Sequence, residues 1–236
     1  MSALTKRVTV RAVTASDPRT RPVYTTAEAA RYAETSSATA SRWLRGYSYP
    51  TLDGPHSSAA IVGQDAAVRL LSFYDLVEVA MVAAARKANV SMKDIREALA
   101  TASELYGLDR PMITERWKVA GRQIFTEEGA ELKRYVNLSR HGQIAWRHIE
   151  DVLRELDYDH ELVARFYPAG RGRPIIIDPT VSFGQPYVLE KGVRTGVVAA
   201  RFGTGDGIQE IASDLLISVG EVEAALRFEG VWPLAA

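Results

Sequence analysis

Side chains suited to metal or acid–base chemistry are few in this sequence. Two of its four histidines, His141 and His148, lie seven residues apart, so they can share one face of a helix with Asp151 nearby. A catalytic zinc site takes three protein ligands at suitable spacing, and no convincing third ligand accompanies this pair. The pair supports a metal-dependent hydrolase as one hypothesis, against the simpler interpretation of histidines on the surface of a helix.

Other signatures of catalysis are missing from the sequence. It contains no Gly-rich phosphate loop, no G-x-S-x-G and no H-E-x-x-H. It also contains no cysteine, which excludes disulfides, thiolate metal sites and cysteine catalysis and is typical of a cytosolic protein. The sequence therefore predicts a protein that is not an enzyme and needs no cofactor.

The composition is that of a globular protein with an uneven charge. The chain has 236 residues, of which 47% are hydrophobic and 25% charged. No apolar run approaches the length of a membrane span and no signal peptide begins the chain, so we expect a cytoplasmic protein that does not associate with a membrane. The net charge is zero, but residues 1–50 carry eight basic against three acidic side chains. A polyanion such as DNA would bind there.

Residues 24–46 read as two short helices joined by a turn. Thr25 and Glu28 have the spacing of a capping box, and Ser36 or Ser37 can cap the second helix. The second helix buries an apolar face around Trp43 and leaves a polar face that can reach base edges and phosphates. A helical hairpin with a solvated outer face would show the same pattern. The predicted DNA-binding residues are Ser37, Thr39, Ser41, Arg42 and Arg45.

The middle of the chain predicts several further elements. Residues 47–58 are rich in turn formers, with room for a small wing. Two helices are predicted from about Asp65 to Gly107. The first is mostly apolar and includes Leu70 and Leu71, and the second is capped by Ser91 and closed by Gly107. Alternating residues predict a β-hairpin over 112–127, and helical spacing predicts an amphipathic helix over 142–156. Residues 158–174 read as irregular.

A second helix-turn-helix pattern ends the chain. Asp206, with Gln209 at capping-box spacing, predicts the start of one helix, and Ser218 with Glu221 predicts the start of the next. The outer face of the last helix is mostly acidic, which is a poor surface for phosphate. We therefore expect a protein-contact or dimer module here rather than a DNA reader. That outer face consists of Glu221, Glu223, Arg227 and Glu229.

Together these patterns predict a mainly α protein with small β-hairpins. The expected parts are a basic N-terminal arm at 1–22, a DNA-binding domain at 23–110, a connecting or dimerisation region with a hairpin and an amphipathic helix at 111–170, and a C-terminal helix-turn-helix domain at 171–236. Because helix-turn-helix readers bind pseudo-palindromes as dimers, we expect a homodimer or a larger complex.

Two stretches resemble known families. Residues 24–110, above all AEAARY and SSATASRWLRGY, resemble the MerR-like winged helix-turn-helix domain. Residues 175–229 resemble a small winged-helix-like domain that is commonly encoded beside PIN-like ribonuclease toxins. The arrangement is similar to the larger VapB-type antitoxins of actinobacteria. The residues that match the second pattern are Gly184, Pro186, Lys191, Gly192 and Arg194.

The resemblance implies an antitoxin of a type II toxin–antitoxin pair. Such a protein neutralises a PIN-like toxin by direct binding and represses its own operon by binding operator DNA. Because PIN-like sites cluster carboxylates around a metal, the resemblance implies that cations of this chain meet the toxin, although Arg171 and Arg173 also fit a charged linker between domains. The residues assigned to the toxin on this basis are Arg171, Arg173, Lys191 and Arg194.

A MerR-like transcriptional regulator that responds to a small molecule is the alternative. In that case residues 112–236 would be the effector domain and would contain an apolar pocket. The aromatic side chains available to line such a pocket, or to fill an ordinary core, are Trp117, Phe125, Trp146, Phe166 and Tyr167.

Overall fold

The computed structural model describes residues 17–51, 54–62, 70–126 and 141–231. These residues fall into two compact units. The N-terminal unit contains the described residues up to 154 together with 158–163, and the C-terminal unit contains 155–157 together with the described residues from 164 onward. Residues 1–16 of the predicted basic arm lie outside the described residues.

The first two helices begin at the signals predicted from the sequence. Before α1 (Thr26–Tyr32), the Thr25 hydroxyl accepts the Glu28 backbone N–H at 3.2 Å, and the Glu28 carboxylate accepts the Thr25 N–H at 2.7 Å. This reciprocal pair is a capping box. Ser36, rather than Ser37, caps α2 (Ser37–Arg45). The predicted helix pair is confirmed.

A β-hairpin follows α2 at the stretch predicted to have room for a wing. Strands β1 (Tyr47–Thr51) and β2 (Gly54–Ser58) pair antiparallel, with Tyr47 opposite Ser58 and Tyr49 opposite His56. Gly46 makes the corner between α2 and β1 at a φ of 71°, where a Cβ atom would collide with the Ser58 carbonyl oxygen. Only glycine combines this conformation with this close approach.

Helix α3 (Phe73–Lys87) is buried along most of its length and contacts α1. The apolar pattern predicted this burial, but the prediction that Leu70 and Leu71 belong to the helix is wrong. Ser72 forms a capping box with Asp75, so the helix begins at Phe73, and Leu71 instead exchanges backbone hydrogen bonds with Tyr24. The capping box thus ends the extended segment and starts the helix.

Helix α4 (Met92–Tyr106) has the predicted ends. The Ser91 hydroxyl accepts the Asp94 N–H at 3.1 Å, and Gly107 closes the helix in the left-handed conformation at a φ of 63°. Both capping predictions are confirmed.

A charged cluster attaches the loop that follows α4 to helix α3. The Arg110 guanidinium donates to the buried Glu78 carboxylate at 3.0 and 2.6 Å and to Asp75 at 2.8 Å. Burial acts to lower the pKa of Arg110, but the two carboxylates outweigh it and raise the pKa. A buried carboxylate is stable only with such a partner, so the pair holds this loop in one position.

The predicted hairpin over 112–127 is wrong, because a 3₁₀ turn at Pro111–Ile113 leads into helix α5 (Trp117–Thr126). Ile113, Trp117 and Ala120 are buried at helical spacing, whereas Val119 is 63% exposed. The apparent alternation thus came from counting Val119 as inward. The amphipathic helix is confirmed as α6 (His141–Arg154).

The prediction that residues 158–174 are irregular is wrong in its first half. Strands β3 (Leu156–Asp159) and β4 (Leu162–Phe166) form a two-stranded sheet in which Leu156, expected at the end of the preceding helix, is buried. His160 and Glu161 both have positive φ, 48° and 68°, which suits a two-residue hairpin turn. Neither residue is a usual sequence signal for that turn.

The C-terminal unit combines a small sheet with three helices. Strands β5 (Ile175–Ile176), β6 (Tyr187–Val188) and β7 (Val193–Arg194) pair antiparallel in that order. Helices α7 (Thr195–Gly203), α8 (Ile208–Leu215) and α9 (Val219–Glu229) share a core with β5 and β6. The fully buried side chains of that core are Ile175, Val188, Val198, Ile211, Val222, Ala225 and Leu226.

The two predicted caps of this unit have different outcomes. Ser218 and Glu221 form the predicted capping box before α9. The predicted cap at Asp206 is wrong, since α8 begins after Gly207. The Asp206 carboxylate instead accepts from the Arg201 guanidinium at 2.5 Å, which removes it from the helix terminus.

Candidate nucleic-acid interface

The turn between α1 and α2 sets the geometry of the helix pair. Glu34 adopts a positive φ of 51°, and the Thr35 N–H donates back to the Ala30 carbonyl at 2.8 Å. At the other end of α2, the Trp43 carbonyl accepts the backbone N–H groups of Ile61 and Val62 at 2.8 and 3.2 Å. Helix α2 is therefore held at both ends, with its buried face fixed by Ala40, Trp43 and Leu44.

The hydroxyls predicted to read DNA do not share one role. Ser37 is exposed at the first turn of α2. Thr39 is half-buried, and its hydroxyl accepts from the capping Ser36 hydroxyl at 2.8 Å. Ser41 is also half-buried and accepts from the Arg45 guanidinium at 3.2 Å. Thr39 thus contributes to the cap and Ser41 positions Arg45, which leaves Ser37 as the most accessible hydroxyl of the three.

Both predicted arginines lie on the exposed face of α2. Arg45 leans along the helix toward Ser41, while the Arg42 guanidinium lies over the Tyr47 ring, 5.6 Å from its centroid. A cation over an aromatic face is attracted to its negative electrostatic potential. Arg42 therefore links the end of α2 to the first strand of the hairpin.

The hairpin adds an aromatic surface that the sequence interpretation missed. Tyr47 and Tyr49 are 41% and 43% exposed, and their rings lie 5.7 Å apart on one face of β1. His56 stacks on Tyr49 from the opposite strand at 6.2 Å. The i, i+2 spacing of the tyrosines was a usable signal, but His56 is brought to them only by the strand register.

Helix α4 fixes the base of this hairpin. The Arg96 guanidinium donates to the Ser58 hydroxyl at 2.8 Å and to the Ala59 carbonyl at 2.7 Å. The base of the hairpin is therefore fixed, and its aromatic surface meets α2 at Arg42. We use the name reading face for Arg42 and Arg45 of α2 together with this aromatic surface. Exposed guanidinium, hydroxyl and imidazole groups can bond to phosphates and base edges.

Arg19, which belongs to the predicted basic arm, is half-buried and bonds to a neighbouring carboxylate. Its guanidinium donates to both oxygens of the Asp17 carboxylate, at 3.0, 3.1 and 2.8 Å, and this hydrogen bonding is the largest cause of its raised pKa. The neighbouring Arg21 is exposed. Of the described arm, Arg21 is therefore the better placed cation for phosphate.

The residues assigned to a toxin by resemblance also differ among themselves. Arg171 donates to Asp157 at 2.6 Å through its guanidinium and to Glu155 at 2.7 Å through its backbone N–H, and it lies over the Tyr167 ring. It is therefore fixed within the C-terminal unit, unlike a residue of a flexible linker. Arg173, Lys191 and Arg194 are exposed.

The outer face of α9 is occupied by acidic side chains with local partners. Glu223 accepts from Arg227 at 2.7 Å, and Glu221 completes the capping box of Ser218. The Glu229 carboxylate accepts from the buried Thr195 hydroxyl. As the sequence predicted, this face offers little to a phosphate backbone.

The chemistry considered for other functions has little support in the described residues. His148 is exposed, the His141 side chain lies outside the description, and the described ranges contain no group of three His, Asp or Glu residues suited to a metal ion. Trp117, Trp146 and Phe166 are buried and Tyr167 is half-buried. The Phe125 side chain lies outside the description.

An apolar cavity in the N-terminal unit is far too small for an effector. Its volume is about 10 Å³, room for about one water molecule, whereas small-molecule sites usually enclose hundreds of Å³. The cavity is lined by Met81, Ala85, Ile95, Ala98, Leu99, Met112, Trp117 and Ile149.

Across the described ranges, no helix is long and apolar enough to cross a membrane.

Comparison with known proteins bears directly on the reading face. Residues 22–99 match the sequence family described as "Putative DNA-binding HTH domain", and this range contains α1, α2 and the hairpin. The helix pair of the N-terminal unit is thus similar to that of a helix-turn-helix family. The arginines of α2 and the hairpin aromatics lie within the matched range.

Two further similarities extend over most of the chain. The protein named "Putative antitoxin VapB45" from Mycobacterium tuberculosis (strain ATCC 25618 / H37Rv) is 26% identical over 223 residues, which are 87% of this chain and 92% of that protein. A crystal structure of Rv2018 from Mycobacterium tuberculosis has a TM-score of 0.63 at 23% identity, covering 88% of this chain and 99% of that one. The second similarity shows that the two chains share a fold.

Proposed function

We propose that this protein is the antitoxin of a type II toxin–antitoxin pair. It binds and neutralises a PIN-like ribonuclease toxin and represses its own operon through a MerR-like winged helix-turn-helix domain at 23–110. The observation that carries the proposal is the similarity to a named antitoxin over nearly the full length of both chains. The matched DNA-binding domain at 22–99 supports the repressor part.

The reading face supplies the DNA contacts of this proposal. Arg42 and Arg45 contact phosphates or base edges from α2, Ser37 contacts DNA at the first turn, and the hairpin with Tyr47 and Tyr49 acts as the wing. A cytoplasmic homodimer would place two such faces on a pseudo-palindromic operator. The C-terminal module at 171–236 then meets the toxin, with its exposed cations Arg173, Lys191 and Arg194 available for contact.

Two experiments in sequence test the proposal. The tagged protein is co-purified with the product of its adjacent gene, and the complex is then assayed by gel shift on its own promoter. A two-protein complex that binds the promoter is the expected result. Promoter binding without a protein partner would instead favour the MerR-like regulator that responds to a small molecule.

A further inference from the structure

A left-handed turn in the C-terminal unit presents an aromatic ring to solvent. Ser182, Phe183 and Gly184 have consecutive positive φ values of 49°, 57° and 78°. Phe183 is 77% exposed, although it lies between buried strands of the unit. Left-handed backbone is unfavourable for a residue with a bulky side chain, and burial of the ring offers no compensation here.

Leu216 gives a useful contrast within the same unit. It also has a positive φ of 54° and is 75% exposed, but it closes helix α8 as its C-terminal cap. A left-handed residue is common at the end of a helix, so the conformation of Leu216 has a local structural reason. The turn at Phe183 ends no α-helix. The Gly184 N–H donates to the Val181 carbonyl at 2.8 Å and the Gln185 N–H donates to the Ser182 carbonyl at 3.1 Å, so the turn is locally closed. These bonds do not account for an exposed aromatic ring at a left-handed position.

Backbone contacts bring other exposed groups to this turn. The Ser182 hydroxyl donates to the Gly192 carbonyl at 3.2 Å, which joins the turn to the β6–β7 connection. On that connection Leu189 is 47% exposed, and its N–H donates to the Pro174 carbonyl at 2.9 Å, next to Arg173. One end of the small sheet thus gathers two exposed apolar side chains and nearby cations.

The charges of this end are not balanced locally. Arg173, Lys191 and Arg194 are exposed and make no ion pair within the part of the chain that the structure describes, while Glu190 is the one acidic side chain on the β6–β7 connection. The other cations of this sheet region, Arg165 and Arg171, are already bonded to Asp178 and Asp157. The segments that the backbone contacts bring to the Phe183 turn, residues 173–174 and 189–194, therefore carry three exposed cations and one acidic side chain.

We propose that Phe183 is the central anchor of the surface by which this chain binds its toxin, with Leu189 beside it and Arg173, Lys191 and Arg194 around it. The partner face is a protein surface that has an apolar depression for the ring and carboxylates for the cations. Exposed aromatic rings bordered by cations are typical of the residues that contribute most to protein–protein affinity. This assignment rests on the function proposed above.

Nucleic acid is the less suitable occupant of this surface. Stacking on Phe183 and contacts with cations would suit a single strand, but the C-terminal unit carries seven basic and ten acidic side chains, a net of −3. That net charge repels a polyanion, whereas a protein surface with a few carboxylates is tolerated. Leu189, which cannot stack on a base, also favours a protein partner.

The test compares Phe183→Asn with wild type in binding to the purified product of the adjacent gene. Asn accepts left-handed backbone, so we expect the variant to fold with an unchanged or higher Tm. We expect its affinity, measured by isothermal titration calorimetry, to fall about 30-fold or more, as for a binding hot spot. Leu216→Asn, the matched control at an equally exposed left-handed position, changes the affinity less than about threefold.

The outcomes separate this assignment from the proposed function. Equal toxin affinity of Phe183→Asn and wild type would overturn the docking assignment alone. Failure of the wild-type chain to bind the neighbouring gene product would overturn the proposed function and the assignment with it. A fall in operator affinity, or loss of self-association in light scattering, with toxin affinity unchanged would assign the surface to DNA or to a second copy and overturn the proposal.

Discussion

The two helix pairs of this protein, α1–α2 and α8–α9, are built alike and present opposite surfaces. In each, a serine caps the second helix, Ser36 in the first pair and Ser218 in the second. The second helix of the first pair exposes Arg42 and Arg45, whereas α9 carries half-buried glutamates that have local partners. The comparison teaches that the capping and packing pattern specifies a helix pair, while the outer side chains decide what it can bind.

The largest expected effect is on the free energy of unfolding, and it tests whether the buried faces of α2 and α9 contribute equally to it. Trp43→Ala removes a buried aromatic side chain from α2, and we expect it to lower the free energy of unfolding by about 3–5 kcal/mol. Leu226→Ala in α9 is the matched change and should lower it by about 2–5 kcal/mol. Denaturant titration measures both. A near-neutral Trp43→Ala would contradict the assigned burial.

The next effect tests the difference between the outer faces. Arg42→Ala or Arg45→Ala should weaken operator binding by about tenfold to a hundredfold without unfolding the protein. If the lost contact is to a phosphate, the slope of log affinity against log salt should also become shallower by about one. Fluorescence anisotropy at several salt concentrations measures both quantities.

The matched change on α9 is Arg227→Ala. We expect it to leave operator affinity within about twofold of wild type, because Arg227 is engaged by Glu223 on an acidic face. An equal loss of DNA binding from Arg227→Ala and Arg42→Ala would remove the distinction between the two helix pairs.

A smaller effect tests the serine caps that the two helix pairs share. Ser36→Ala and Ser218→Ala each remove a hydroxyl that accepts a backbone N–H at a helix start, and each should destabilise the protein by about 1 kcal/mol. Thermal unfolding should show similar shifts for both variants. Ser36→Ala alone is expected to weaken DNA binding, since Ser36 caps the helix that carries Arg42 and Arg45.

The smallest effect concerns acid sensitivity in the C-terminal unit. Burial acts to raise the pKa of Asp178, but hydrogen bonds from Thr180 and Arg165 outweigh it and hold the pKa below its usual value. A lowered pKa stabilises the folded state above the ordinary value of about 4, and this contribution is lost as the pH falls through the folded value.

Asp178→Asn should therefore destabilise the protein at pH 7, and its difference from wild type should shrink as the pH is lowered from 4 toward 2. Urea titrations across this range make the comparison. A difference that does not change with pH would show that the carboxylate charge of Asp178 contributes nothing to stability.

Much of the fold could be predicted because its signals are local. Thr25 with Glu28, Ser91 with Gly107 and Ser218 with Glu221 act within one helical turn or at a helix end, so the sequence alone places them. Their helices appear where expected. The false cap at Asp206 shows the limit, because a competing guanidinium from Arg201 is invisible to a spacing rule.

The errors arose where a pattern had two interpretations or a turn had no signal. Trp117 and Val119 fit an alternating strand as well as a helix, and only burial of Trp117 beside exposed Val119 decides for α5. His160 and Glu161 close a hairpin by adopting positive φ, which neither residue type announces. Such conformations are imposed by the pairing of the flanking strands.

The sequence alone was enough to place the buried face of α2, the charges of the two outer faces and the helix ends with correctly predicted caps. Those ends are the starts of α1, α2, α4 and α9 and the end of α4. Only the tertiary structure placed His56 against Tyr49, Arg42 over Tyr47 and the exposed Phe183 beside the β6–β7 connection. The physical reason is the separation along the sequence of the residues that interact. Caps and helical faces depend on residues a few positions apart, whereas surfaces form from side chains that strand register and backbone contacts between elements bring together.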